Sequence, residues 1–159
     1  MKDSPTGDII STASEIIKIR DLYNPSTKII VNDDLEATLL SKADGVHLGQ
    51  EDMDLEKVKS KYSHLTVGWS THTIEQIRKA NAVDIDYIGF GPVFQTSTKK
   101  VTDAVVTDFV QQAAQISEHR IVFIGGINKN NIVFLPAGDK IYYALISGLN
   151  DIITEKSYE

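Results

Sequence analysis

The stretch Tyr87–Lys100, YIGFGPVFQTSTKK, sets the pattern from which the fold is read. A short apolar run from Asp86 to Phe90 is broken by Gly89, Gly91 and Pro92, then opens into Thr96, Ser97, Thr98, Lys99 and Lys100. This predicts a buried strand whose C-terminal end spills into a loop able to hold an anion. Glycines let backbone N–H groups approach an oxyanion, hydroxyls donate to it, and lysine supplies charge. Taken alone, the same letters also describe a polar surface loop with two solvated lysines.

Outward from this stretch the pattern of strand, loop and helix repeats. Lys28–Val31, Gly45–Leu48, Leu65–Trp69, Arg120–Ile124 and Ile141–Leu145 read as further strands. Helices are expected over Asp8–Tyr23, from Asn32-Asp33-Asp34 through Leu40, and around Leu55, Val58 and Tyr62. Thr73 with Gln76 predicts a capping box for a helix running to Ala82. Asp103–Ile116 reads as another helix, a short one starts at Asn128 and stops at Pro136, and a last one runs to about Thr154.

Continuous apolar strands alternating with amphipathic helices imply parallel strands with covered faces. Every loop of unusual chemistry follows a strand and precedes a helix, the place where α/β proteins carry their sites. An open sheet and a (β/α)8 barrel both fit. The barrel is favoured because Gly125-Gly126 and Ile146-Ser147-Gly148 end the last two strands, with a helix N-terminus near Asn128 facing an anion. Six strands are two short of closure, and 159 residues fall below the roughly 200 usual for that fold. The expectation is α/β, a TIM (β/α)8-barrel family fold that is incomplete, with about six of eight βα units in one domain over 1–159.

Composition narrows the function. Hydrophobic residues make up 42% of the chain, enough for a core, and the formal charge is −6 with no basic cluster longer than a pair. That predicts no nucleic acid and no membrane surface among its partners. The absence of cysteine excludes disulfides, thiolate zinc sites and thiol nucleophiles. No apolar run approaches the ~20 residues of a membrane span, and the polar N-terminus is unlike a signal peptide, which leaves a cytoplasmic location as the expectation.

Five motifs then stand in order: VNDD at 31–34, ADGVHLGQED at 43–52, GWSTHT at 68–73, YIGFGPVFQTSTKK at 87–100 and IGGI at 124–127. Together they resemble the thiamine phosphate synthase family, from about Lys28 to Leu149. Members are (β/α)8 barrels that join a pyrimidine methyl diphosphate to a thiazole phosphate and release pyrophosphate with Mg2+. The resemblance implies that Asp33 and Asp52 bind Mg2+. It implies that Asn32, Ser70 and Lys99 contact the pyrimidine diphosphate, with Ser70 and Lys99 as the candidates for acting on the reacting group. Thr96, Ser97 and Thr98 would hold the thiazole phosphate together with Gly126, Ile146 and Ser147. The implied mechanism is dissociative and needs no side-chain nucleophile.

The residues also carry plainer readings. Asp33 or Asp34 reads as a helix N-cap, Ser70 as a capping hydroxyl and Lys99 as a free surface lysine. His47 reads as a packed core residue, and His64 and His119 as surface residues. His72 matches a histidine common in the family and is a minor candidate for proton transfer, as in the related thiazole tautomerases.

The chain also departs from the family pattern. The first strand, first helix and second strand of the family, the last ending in Arg-x-Lys, have no counterpart in these letters. Lys2 stands about as far before Asn32 as that lysine should, with no arginine before it. Pro136–Lys140 replaces the usual Gly-Ala-Asp-Gly. Open edges at Lys28–Val31 and Ile141–Leu145 predict a homo-oligomer. Besides the synthase, a thiazole tautomerase-like isomerase and a non-catalytic phosphate-binding remnant remain as readings.

Overall fold

The computed structural model describes residues 5–52, 54–94, 103–146 and 149. Along the chain lie α1 (Thr6–Tyr23), β1 (Ile30–Asn32), α2 (Leu35–Ser41), β2 (Gly45–Leu48), α3 (Leu55–Lys61) and β3 (Thr66–Thr71). They are followed by α4 (Ile74–Ala80), β4 (Tyr87–Phe90), α5 (Asp103–Ile116), β5 (Arg120–Ile124), a 3-10 turn at Ile132–Phe134, and β6 (Ile141–Ala144). The chain forms two compact units, Met1–Trp69 with Val83–Asp86, and Ser70–Ala82 with Tyr87–Glu159. Among the described residues no helix is long and apolar enough to cross a membrane.

In the first unit β1, β2 and β3 pair parallel in sequence order, with Val31 beside Val46 and Val46 beside Val67. Side chains alternate across a strand, so this buried valine row and Leu48 form one face. Val31 packs with Ile9 and Ala13 of α1 and with Ala37 and Ala43, which identifies that face as the one the helices cover. Asn32 and His47 therefore belong to the opposite face.

Two carboxylates of the first unit each clasp the backbone at the start of a strand. Asp44 Oδ2 accepts from the Ile29 N–H and from Arg20 Nη1, both at 2.8 Å, while the Asp44 N–H donates back to Ile29 O. Asp86 repeats the device: its Oδ2 accepts from the Val67 N–H at 2.8 Å and from Lys59 Nζ at 2.6 Å, and its N–H donates to Val67 O. Partial burial pushes both carboxyls up. The backbone N–H and the cation on each outweigh it and hold both below the usual carboxylate range.

In the second unit β4, β5 and β6 are parallel and consecutive, with Phe90 beside Phe123 and Phe123 beside Tyr143. Ile88, Phe90, Ile121 and Phe123 are buried, and the Phe90 ring meets Phe123 edge-on at 6.1 Å and Phe109 of α5 at 5.2 Å. The capping box predicted at Thr73 and Gln76 is present at the start of α4. β3 runs on to Thr71, beyond the expected end at Trp69, because the buried Thr71 hydroxyl donates to Gly89 O and its carbonyl accepts from the Gly91 N–H.

The helix expected from Asn128 is not there. The Asn131 side chain accepts from the Asn128 N–H and the Asn128 side chain from the Asn130 N–H, and only the 3-10 turn at Ile132–Phe134 forms. Asparagine side chains have displaced the first helical turn by competing for its backbone donors. The expected final helix falls outside the described residues except for Leu149.

Candidate active site

In the first unit β1 ends at Asn32, which lies in register with His47 of β2, and His47 in turn with Gly68 of β3. All three occupy the face away from the helices; Asn32 ends β1 and His47 is the last residue but one of β2. The core side chains of β2 are Val46 and Leu48, both fully buried, whereas His47 between them is half-buried on the other face. This differs from the packed core residue read from the sequence. Burial pushes the His47 imidazole below its ordinary pKa, and the charge of Asp52 works against that shift.

Asp33 bonds to the His47 backbone, and Asp52 acts on the His47 ring through its charge alone. Asp33 adopts φ +61, in the left-handed region, and donates its N–H to His47 O at 2.8 Å. A non-glycine residue held there carries backbone strain, which concentrates at functional sites. The Asp33 carboxylate accepts from Asn32 Nδ2 at 2.6 Å. Asp34, not Asp33, is the helix cap: its Oδ1 accepts from the Ala37 N–H at 2.7 Å.

Asp52 stands in the turn after β2. Its Oδ2 accepts from the Gly49 N–H, and the Gly49 carbonyl accepts from Trp69 Nε1 at 3.0 Å. A Cβ on residue 49 would stand 2.8 Å from Asp52 Oδ2, so a side chain there would push the carboxylate off this bond.

These donors suit Mg2+. That ion takes one or two carboxylates, keeps several waters and shares substrate phosphate oxygens. Asp33 and Asp52 supply two hard carboxylates, and among the described residues no group of three or more His, Cys, Asp or Glu gathers to make an all-protein cage.

The second unit carries the other candidates. Ser70 is half-buried near the end of β3 and does not cap α4, a role taken by Thr73. His72 Nδ1 lies 2.6 Å from Gly91 O, so the ring donates its Nδ1–H there and turns Nε2 away. His119, expected on the surface, is half-buried with Nε2 donating to Ala80 O at 3.0 Å. The Val93 N–H donates to Ile124 O and the Phe94 N–H to Gly125 O, which brings the chain beside the end of β5 just before residue 95.

Gly125 and Gly126 take positive φ of 97° and 67°, and Asn131 Nδ2 donates to Gly126 O at 2.9 Å. Ile124 pairs with Ala144, so Gly126 and Ile146 each stand two residues past the last register pair of neighbouring strands. Thr96, Ser97, Thr98, Lys99, Ser147 and Lys2 lie outside the described residues. The described candidates thus fall into two sets by unit: Asn32, Asp33 and Asp52 after β1 and β2 of the first, and Ser70, Gly126 and Ile146 in the second.

Sequence reasoning passed over His47 and Trp69. The alternation in GVHL marks His47 as facing away from Val46 and Leu48, but a four-residue strand gives that signal little length. Nothing in the letters showed that the Trp69 indole reaches Gly49.

The family model for thiamine monophosphate synthase (TMP-TENI) matches residues 1–148. The chain belongs to the thiamine monophosphate synthase family. Within it, the thiamine-phosphate synthase of Bacillus thuringiensis (strain Al Hakam) is 42% identical over 135 residues, which cover 82% of this chain and 59% of that one. The thiamine-phosphate synthase of Pelotomaculum thermopropionicum is 37% identical over 144 residues, covering 87% of this chain and 66% of that one. This chain therefore spans about three fifths to two thirds of the length of these curated relatives. A solved structure, the thiamine phosphate pyrophosphorylase from Pyrococcus furiosus, matches 100% of this chain and 82% of its own with a TM-score of 0.76 at 24% identity. That likeness bears out the expected fold class, an incomplete α/β architecture of the TIM-barrel family, with six strands among the described residues.

Proposed function

We propose that this member of the thiamine monophosphate synthase family is a Mg2+-dependent transferase. It would move a hydroxymethylpyrimidine group from its diphosphate to a thiazole phosphate, with release of pyrophosphate. The observation that carries this reading is the left-handed turn that holds Asp33 against the His47 carbonyl, with Asp52 in the turn that follows the same strand, in a chain of this family.

Asp33 and Asp52 would hold Mg2+, which when bound neutralises charge gathering on the departing pyrophosphate. The Asn32 amide, the Ser70 hydroxyl and the Lys99 ammonium would bind and orient the diphosphate, Ser70 and Lys99 donating as its negative charge grows. Thr96, Ser97 and Thr98, with Gly126, Ile146 and Ser147, would hold the thiazole phosphate so that its ring nitrogen faces the carbon being released. The protein then acts by positioning and by fixed donors.

The same proposal places the protein in the cytoplasm as a homo-oligomer acting on phosphorylated small molecules, without nucleic acid or membrane. Support for assembly comes from β1, which pairs with β2 alone among the described strands and borders a cavity of about 290 Å³ lined by Ile9, Ala13, Ile16, Ile29, Ile30, Val31 and Asn32. Sedimentation of the purified chain should show a species larger than 17.6 kDa.

Incubating the full chain with both phosphorylated substrates and Mg2+ should yield thiamine phosphate, and excess EDTA should abolish it. Formation undiminished by EDTA, or no formation with metal and both substrates present, overturns the assignment.

A further inference from the structure

We propose that Trp69 is a positioning residue for Asp52: its indole N–H fixes the Gly49–Asp52 turn in the form that presents the carboxylate to a divalent cation. This rests on the metal reading of Asp33 and Asp52 given above. Trp69 lies in register with Leu48, the last residue of β2, and its Nε1 donates to the carbonyl of the next residue, Gly49, at 3.0 Å. The N–H of the same glycine donates to Asp52 Oδ2. Gly49 is thus held through its carbonyl by the indole and through its N–H by the acid that the turn displays.

Glycine has the widest backbone freedom of any residue, and an exposed turn around it samples many conformations unless something outside fixes it. Asp52 is exposed, so packing does not hold it. The indole bond comes from a strand rather than from the turn itself, and a rigid element is the better anchor for a ligand side chain. The plainer role, a half-buried tryptophan satisfying its own N–H, would leave metal affinity unaffected by loss of the bond.

Trp69→Phe keeps a ring and deletes the donor. Binding of Mn2+, in the presence of inorganic pyrophosphate and without substrates, is read from the loss of the free-ion electron paramagnetic resonance signal. The variant should bind about 3- to 10-fold more weakly, the worth of one neutral hydrogen bond, and exchange of the Gly49 amide should quicken while those of Val46 and Val67 stay unchanged. Unchanged affinity or unchanged Gly49 exchange overturns the positioning role and leaves the proposed function standing. Wild-type protein that binds no Mn2+ overturns the metal reading and this inference with it.

A second measurement leaves the ring in place, in case Trp69→Phe does not fold. Trp69 is the single tryptophan of the sequence, so Mn2+ seated at Asp52 should quench its fluorescence, and Asp52→Asn should remove the quenching. Bound Mn2+ without quenching, or quenching that survives Asp52→Asn, contradicts the proposal.

Discussion

The backbone N–H of Asp33 donates to the carbonyl oxygen of His47 at 2.8 Å, while Asp33 itself is held at φ +61. Through this bond the end of β1 is fixed to the middle of β2, on the strand whose histidine feels the charge of Asp52. The two acids thus stand in the turns that follow two paired strands, β1 and β2.

The adjacent acids Asp33 and Asp34 should separate cleanly on mutation. Asp34→Ala removes the cap of α2 and should cost about 1 kcal/mol of stability, read by urea unfolding, with turnover at saturating Mg2+ kept within a few-fold. Asp33→Ala should lower turnover by about 100-fold or more, the scale for losing one stabilising group in the transition state, with little change in the unfolding midpoint. The opposite assignment of the two losses would remove Asp33 from the metal site.

Two glycines should respond differently to alanine. At Gly49 the new Cβ would meet the far end of the flexible Asp52 side chain at 2.8 Å, which can swing away. Gly49→Ala should therefore raise the Mg2+ concentration needed for half-maximal rate while shifting stability by less than about 1 kcal/mol. At Gly91 the Cβ would stand 2.1 Å from the Ile124 carbonyl oxygen, a backbone atom that cannot yield alone. Gly91→Ala should destabilise by about 1–3 kcal/mol, seen as a lower unfolding midpoint.

Acid should undo the clasps at Asp44 and Asp86. Both carboxyls are held below their ordinary pKa in the folded chain. The stability they contribute is therefore full above the unfolded value of about 3.9 and is lost as pH falls through the folded value. Urea unfolding of wild type should show stability falling below about pH 4, and Asp86→Asn should flatten that fall. At neutral pH Asp86→Asn should cost only about 1 kcal/mol, because solvent screens a pair this exposed. An unaltered pH slope in that variant would contradict the clasp.

How much of this was legible in the sequence depends on how local the cause is. The capping box at Thr73 and Gln76 and the end of α1 at Asn24-Pro25 follow from neighbouring residues, and both were read correctly. The Asp33–Asp34 pair could not be resolved, because either side chain can cap and only the left-handed backbone at Asp33 decides. Helix was expected from Asn128 because each of the four preceding strands leads into a helix. The asparagine side chains at 128 and 131 took the backbone donors instead. His47 and Trp69 needed the register of three strands, a relation between segments that no single stretch contains.

The most direct test is crystallographic: the full chain grown with Mn2+ and inorganic pyrophosphate, with anomalous scattering used to locate the ion. A peak within coordinating distance of both the Asp33 and Asp52 carboxylates is the predicted result. A peak on other residues, with either carboxylate turned away from it, would contradict the account.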